Sequence, residues 1–192
     1  MKISVLTMTY QRHQILEEAI QSFLNQDYQG DDIEMVVLND SPVVQYKFDH
    51  PKVRIINMSE RFSSLGKKLQ YGFKRCKGDY IYRLDDDDLL TPWAMTLVSG
   101  YVKNDADIFR CAKAYFLVHN VSQGLSDNVN NGNTYAKRFV EKVTLPDKSI
   151  VEDVEITYNS GGRIFQGDTG RYSMIYRWGM NTYHISGLGT QH

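Results

Sequence analysis

The stretch from Asp79 to Asp88 constrains this chain most. Tyr80-Ile81-Tyr82-Arg83-Leu84 reads as a buried strand and runs straight into four consecutive aspartates, Asp85 to Asp88. Each carboxylate raises the free energy of its neighbours' charged forms, so the group persists most readily where a cation, or a cation carrying phosphate, offsets the repulsion. The plain alternative is a solvated acidic loop after a strand, and the rest of the chain has to decide. Leu89-Leu90-Thr91-Pro92 follows at once, where a new helix is expected to begin.

The preceding residues alternate between strand and helix patterns. Ile3 to Met8 is a short apolar run, and Ile15, Leu16, Ala19, Ile20, Phe23 and Leu24 recur at helical spacing after it. Ile33 to Leu38 is apolar almost throughout, as a parallel strand covered on both faces should be. Val53 to Asn57 reads as a shorter strand nearer a sheet edge. A helix through about Arg75 turns Leu65, Leu69, Phe73 and Cys76 inward. A helix over Trp93 to Val102 and strands at Ala106 to Arg110 and Ala114 to His119 complete an α/β reading, with a mostly parallel, Rossmann-like sheet. In such a sheet Thr9, Asp40 and Asp85 stand on one rim, at the carboxyl ends of the strands where ligands bind.

The later residues read differently. Residues 120–134 are rich in Asn and Gly and predict a loop or excursion. From Phe139 to Tyr158 apolar and polar residues alternate about Leu145-Pro146-Asp147-Lys148, which predicts a small antiparallel hairpin. Gly162 to Gln166 adds one strand, and the aromatic tail Tyr172 to Gly189 suits a cleft wall. Residues 1–119 are expected to form the α/β core, with 120–192 as a further part of the same domain.

Composition narrows the function classes. The chain of 192 residues has 42% hydrophobic and 23% charged residues, as a soluble domain does, and its net charge of -1 gives no bulk attraction to nucleic acid or acidic lipid. Cys76 and Cys111 have neither metal-site nor disulfide spacing, so a reducing, cytoplasmic setting is expected. No run is long enough for a membrane span.

Asp85 and Asp87 can converge on one divalent ion, and hard oxygen ligands suit Mg²⁺ or Mn²⁺ holding a diphosphate. Zinc fits poorly without cysteines or a histidine pair. His184 is a candidate further ligand. Lys67 and Lys68, near a helix start, and Arg163, Arg171 and Arg177 are candidate phosphate contacts, with Arg177 set between Tyr176 and Trp178. A transfer to a hydroxyl also needs a base. Asp153, in the Glu152-Asp153 pair, is the first candidate and Asp168, flanked by Gly167 and Thr169-Gly170, the second.

Together, Val5-Leu6-Thr7-Met8-Thr9-Tyr10-Gln11-Arg12, Val36-Val37-Leu38-Asn39-Asp40-Ser41, Gly66 with Gly72, Gly78-Asp79-Tyr80-Ile81 and Leu84-Asp85-Asp86-Asp87-Asp88 resemble the GT-A nucleotide-sugar glycosyltransferases of the family 2-like group. The resemblance covers roughly residues 1–110. Met8 stands where that family commonly has Pro, and Gln70 near an Asn-containing motif. The resemblance implies a GT-A fold in which Asp40 contacts the nucleobase, Asp85 the ribose or metal, and Asp87 the metal. Thr9 and Tyr10 would line the nucleoside pocket with Arg12 nearby, and Asp86 is counted with the donor contacts while helping, with Asp88, to orient the loop. The family's base is the aspartate of a Glu-Asp pair, which Glu152-Asp153 resembles. The expected reaction is a metal-dependent transfer, with inversion, from a nucleoside diphosphate sugar, a UDP-sugar first, to a saccharide, lipid-linked glycan or protein hydroxyl. Alternatives are a hydroxylated base in DNA as acceptor, a nucleotidyltransferase, or a non-catalytic nucleotide-sugar binding module.

Overall fold

A strand buried on both faces has to be apolar at successive positions, and β1 (Ile3–Thr9) and β2 (Ile33–Asn39) are buried at every residue. The computed structural model describes residues 1–30, 32–111, 113–126, 131–149, 152–167 and 170–179. Between the two strands, α1 (His13–Leu24) lays Leu16, Ala19, Ile20 and Phe23 on the sheet. The chain continues through β3 (Val53–Asn57), α2 (Leu65–Arg75), β4 (Tyr80–Asp85), β5 (Leu89–Leu90), α3 (Ala94–Tyr101), β6 (Ile108–Arg110) and β7 (Ala114–Val118). It ends in β8 (Val121–Ser126), β9 (Thr134–Ala136), α4 (Lys137–Val140), α5 (Glu152–Val154) with a π-helical turn at Glu155–Asn159, β10 (Ile164–Gln166) and β11 (Met174–Trp178).

The main sheet has seven strands in the order β10-β6-β9-β4-β1-β2-β3, and a second sheet has four in the order β5-β11-β7-β8. Neighbours from β4 to β3 run parallel, whereas β9 is antiparallel to both β4 and β6. Because side chains alternate along a strand, Ile3 and Val5 of β1 join the core under α1 and α3, while Leu6 and Met8 join the core under α2. The expected α/β class, the edge position of β3 and the helix over residues 65–75 are all present.

Two expectations of the later chain are corrected. Residues 120–134 are not one loop. β8 turns back on β7 through His119 and Asn120, both at positive φ (47° and 63°), and β9 enters the main sheet. Nor do residues 139–158 form a hairpin. Phe139 and Val140 lie in α4, and from Glu152 the chain is helical. A period of two is also half a period of four: in the helical form Glu152 and Ile156 point inward while Tyr158 is exposed. Residues 174–178 of the tail form a strand paired with β7 and β5. Among the described residues no helix is long and apolar enough to cross a membrane.

The loop that replaces the hairpin turn packs on the start of α2. Gly66 donates its N–H to Lys148 O at 2.9 Å, and a Cβ there would lie 2.3 Å from Pro146 O, a backbone atom that cannot swing aside. Gly66→Ala should therefore destabilise the fold by about 1–3 kcal/mol despite alanine's better helix propensity. Gly100 in α3 meets nothing within 4 Å, so Gly100→Ala should instead gain up to about 1 kcal/mol. Denaturant midpoints of the two variants should move in opposite directions.

Candidate active site and metal centre

Parallel pairing aligns the strand ends. Thr9 lies opposite Asn39, and Met8 opposite Asp85, so the residues that leave β1, β2 and β4 share one rim. Lys68 ties two of these ends together: its buried ammonium donates to Thr9 O at 2.7 Å and to Asp40 Oδ1. Asp40 Oδ2 accepts the Phe62 N–H at 3.1 Å. Burial draws the Lys68 pKa down against the pull of Asp40. Beside them the Arg61 guanidinium lies 4.1 Å from the centroid of the Tyr10 ring.

The four aspartates separate into two roles. Asp86 is fully buried and is gripped by Arg12, whose Nε donates to Oδ2 at 3.0 Å and whose Nη2 donates to Oδ1. The same guanidinium reaches Asp87 Oδ2 at 3.0 Å through Nη1. Asp85, Asp87 and Asp88 instead bring carboxylate oxygens within 4.8 Å of one another. Asp85 is oriented by Arg83 Nε at 3.3 Å and by Asn131 Nδ2 at 2.8 Å. Asp88 Oδ1 accepts the Arg177 N–H at 2.8 Å, and its Oδ2 is buried with no hydrogen-bond partner among the described residues. An orphaned buried carboxylate oxygen facing two further acids is costly alone and well suited to a hard divalent cation.

The protonation equilibria carry the same message. Burial, then the charges of Asp87 and Asp85, push Asp88 well above the carboxylate range. Asp86 is raised to about 6, mainly by burial and against the attraction of Arg12. A carboxylate raised in the folded state stabilises the fold most below its unfolded pKa and loses that contribution as pH rises through its folded value. Without divalent ions these two groups should therefore favour a higher melting temperature near about pH 5 than near about pH 7.5. Were the cluster to take Mn²⁺, the ion should raise the melting temperature more near about pH 7.5, since proton and cation would compete for the Asp88 oxygens. Equal Mn²⁺ gains at both values in a thermal melt would contradict this.

Other expected residues are distributed unevenly. Arg177 is buried beside the cluster, where it donates to Asp87 O and to Glu18, and its Nη2 has no hydrogen-bond partner among the described residues. Lys67 is exposed on α2. The Ser64 side chain accepts the Lys67 N–H and sets the helix start, and this phase turns Lys68 inward. Lys68 falls three residues after Leu65 and four before Gly72, a spacing that marks the sheet-facing side. Glu152 is buried and accepts from Arg83 Nη2 at 3.0 Å, and Asp153 follows it half-buried at the start of α5. Asp168 and His184 lie outside the described residues. Of the other candidate arginines, Arg163 pairs with Asp105 and Asp107 at the surface and Arg171 is exposed. Sequence reasoning missed the contacts of Asn131 with Asp85 and of Arg83 with Glu152, which span 46 and 69 residues and leave no local pattern.

Comparison with known proteins bears on family and fold. The family model described as Glycosyl transferase family 2 matches residues 4–152. A GalNAc(5)-diNAcBac-PP-undecaprenol beta-1,3-glucosyltransferase of Campylobacter jejuni is 31% identical over 117 residues, covering 56% of this chain and 37% of that protein. Poly(ribitol-phosphate) beta-N-acetylglucosaminyltransferase TarP of Staphylococcus aureus is 24% identical over 180 residues, 83% of this chain and 53% of that one. Among solved structures, S. aureus TarS 1-349 in complex with UDP superposes with a TM-score of 0.74 at 15% identity, over 92% of this chain and 60% of that chain. The mannosyltransferase PcManGT from Pyrobaculum calidifontis, in complex with GDP-Man and Mn²⁺, gives 0.66 at 16% identity, over 88% and 55%. The chain thus spans between a third and about half of the curated relatives' lengths in these two matches.

Proposed function

Because the chain belongs to glycosyl transferase family 2 and has the GT-A fold, we propose that it carries the donor site and catalytic carboxylates of a divalent-metal-dependent transferase that moves a sugar from a UDP-sugar to a glycan or polyol-phosphate hydroxyl with inversion. The observation that carries this reading is the convergence of Asp85, Asp87 and Asp88 on the rim that also bears Asp40. UDP and UDP-GlcNAc bound to S. aureus TarS structures of the same fold favour a uridine donor. The named activities of the bacterial relatives favour a saccharide or polyol-phosphate acceptor.

In this reading Thr9 and Tyr10 line the nucleoside pocket, and Asp40, an acceptor fixed by Lys68 and the Phe62 N–H, meets a donor edge of the base. Asp85, Asp87 and Asp88 hold Mn²⁺ or Mg²⁺. The bound cation would take up charge developing on the leaving diphosphate. Arg12 neutralises Asp86 and steadies Asp87, which leaves the cluster a defined shape, and Arg177 stands beside it with an unused donor. Asp153 removes the proton from the attacking hydroxyl in a single in-line displacement. Incubation with UDP-GlcNAc or UDP-glucose, Mn²⁺ and a panel of acceptors tests this. Polyol phosphates, lipid-linked glycans, peptides and duplex DNA with a hydroxylated base would be compared by the mass of the product. A sugar-sized increment on a saccharide or polyol phosphate is expected. Transfer to DNA alone, or binding without transfer to any acceptor, would overturn the reading.

A further inference from the structure

Arg83 has no task in that scheme, yet it occupies its centre. It lies in β4 two residues before Asp85, with a side chain only 4% exposed. One arm of the guanidinium holds Asp85 Oδ1 at 3.3 Å, and another holds Glu152 Oε1 at 3.0 Å. The third nitrogen, Nη1, is buried with no hydrogen-bond partner among the described residues. Burial pushes the Glu152 carboxyl up and Arg83 draws it back. The Arg83 pKa is raised because Asp85 and Glu152 together outweigh the burial that would lower it.

Stability alone does not account for such a triad. Buried ion groups are often replaceable by apolar side chains of similar volume with no loss, or with a gain, in stability. What apolar groups cannot do is fix the distance and angle between two carboxylates, which a planar guanidinium fork does. The two acids are carried by different elements: Asp85 ends a central strand, and Glu152 opens a short helix 69 residues beyond Arg83. Asp153 is the next residue of that helix.

We propose that Arg83 is a positioning residue that ties the Glu152-Asp153 turn to Asp85, so that the base is held in register with the cation-bound donor. This rests on the reading of Asp85 as a cation ligand and Asp153 as the base. Lysine keeps the charge but reaches only one carboxylate at a time, so Arg83→Lys and Arg83→Met should fail alike in geometry.

The test separates binding from turnover. Because Asn131 Nδ2 still holds Asp85 Oδ2 at 2.8 Å, in Arg83→Lys the Kd for UDP with Mn²⁺, measured by calorimetry, should stay within about threefold of wild type, while kcat for UDP release from the donor sugar falls at least ~10-fold with little change in KM. Glu152→Met removes the acceptor and cuts the same tie from the other end, so combining it with Arg83→Met should cost no more than the worse single change. Guanidinium ion should restore part of the rate of Arg83→Ala, and methylammonium should not. Should Arg83→Met not fold, Arg83→Lys and Glu152→Met carry the comparison. A kcat within about threefold of wild type in folded variants, additive losses, or Kd and kcat falling together would overturn the proposal. Wild-type protein that turns over no donor would instead overturn the functional reading itself.

Discussion

Asp87→Asn should abolish divalent-dependent nucleotide binding and lower turnover by at least ~100-fold, because it removes a charged oxygen from the proposed cation centre. The change is nearly isosteric, and Asp87 is buried at 5% exposure, so the fold should survive. One of the three clustered acids is then neutral, and Arg12, which now shares itself between Asp86 and Asp87, settles on Asp86. Calorimetry of UDP binding with Mn²⁺ and with EDTA checks it. Wild type should bind only with the metal and the variant in neither condition. Unchanged binding of the variant, or wild-type binding that survives EDTA, would remove the cation from the account.

Asp153→Asn is expected to do the opposite in binding and much the same in rate. Asp153 lies outside the cluster Asp85, Asp87 and Asp88, so UDP affinity should be preserved. Loss of the proton acceptor should lower kcat by about 10²–10⁴-fold. Its Oδ1 accepts the Val154 N–H at 2.9 Å, a bond the amide oxygen of asparagine can keep, so the helix start should hold. Rate and affinity measured on the same preparation distinguish this from misfolding. Asp168→Asn made alongside should retain most of the rate; if it alone lost turnover, the base would be Asp168.

Much of this site was legible because strand ends are legible. Continuous apolar runs announced β1 and β2, and the polar residues that stop them, Thr9 and Asp40, had to emerge at the same edge as Asp85 once the strands were parallel. Roles within the aspartate cluster were less visible. Asp88 proved to be the third clustered acid, and Asp86 to be turned into Arg12, because the turn after β4 sets directions that spacing alone does not. β8 escaped notice since Val121, Ser122 and Gln123 bury little and are held by backbone pairing around a two-residue turn. The helix at Glu152 escaped because four apolar or acidic residues at alternate positions satisfy a strand pattern, whereas burial selects only Glu152 and Ile156 among them.

The most direct measurement is release of UDP from UDP-GlcNAc and UDP-glucose by the purified chain, with Mn²⁺ or with EDTA, alongside GDP- and CDP-sugars. The account predicts that UDP appears only with the divalent ion and that uridine donors are preferred. Release that persists undiminished in EDTA, or no release from any nucleotide sugar while Mn²⁺ is present, would contradict it.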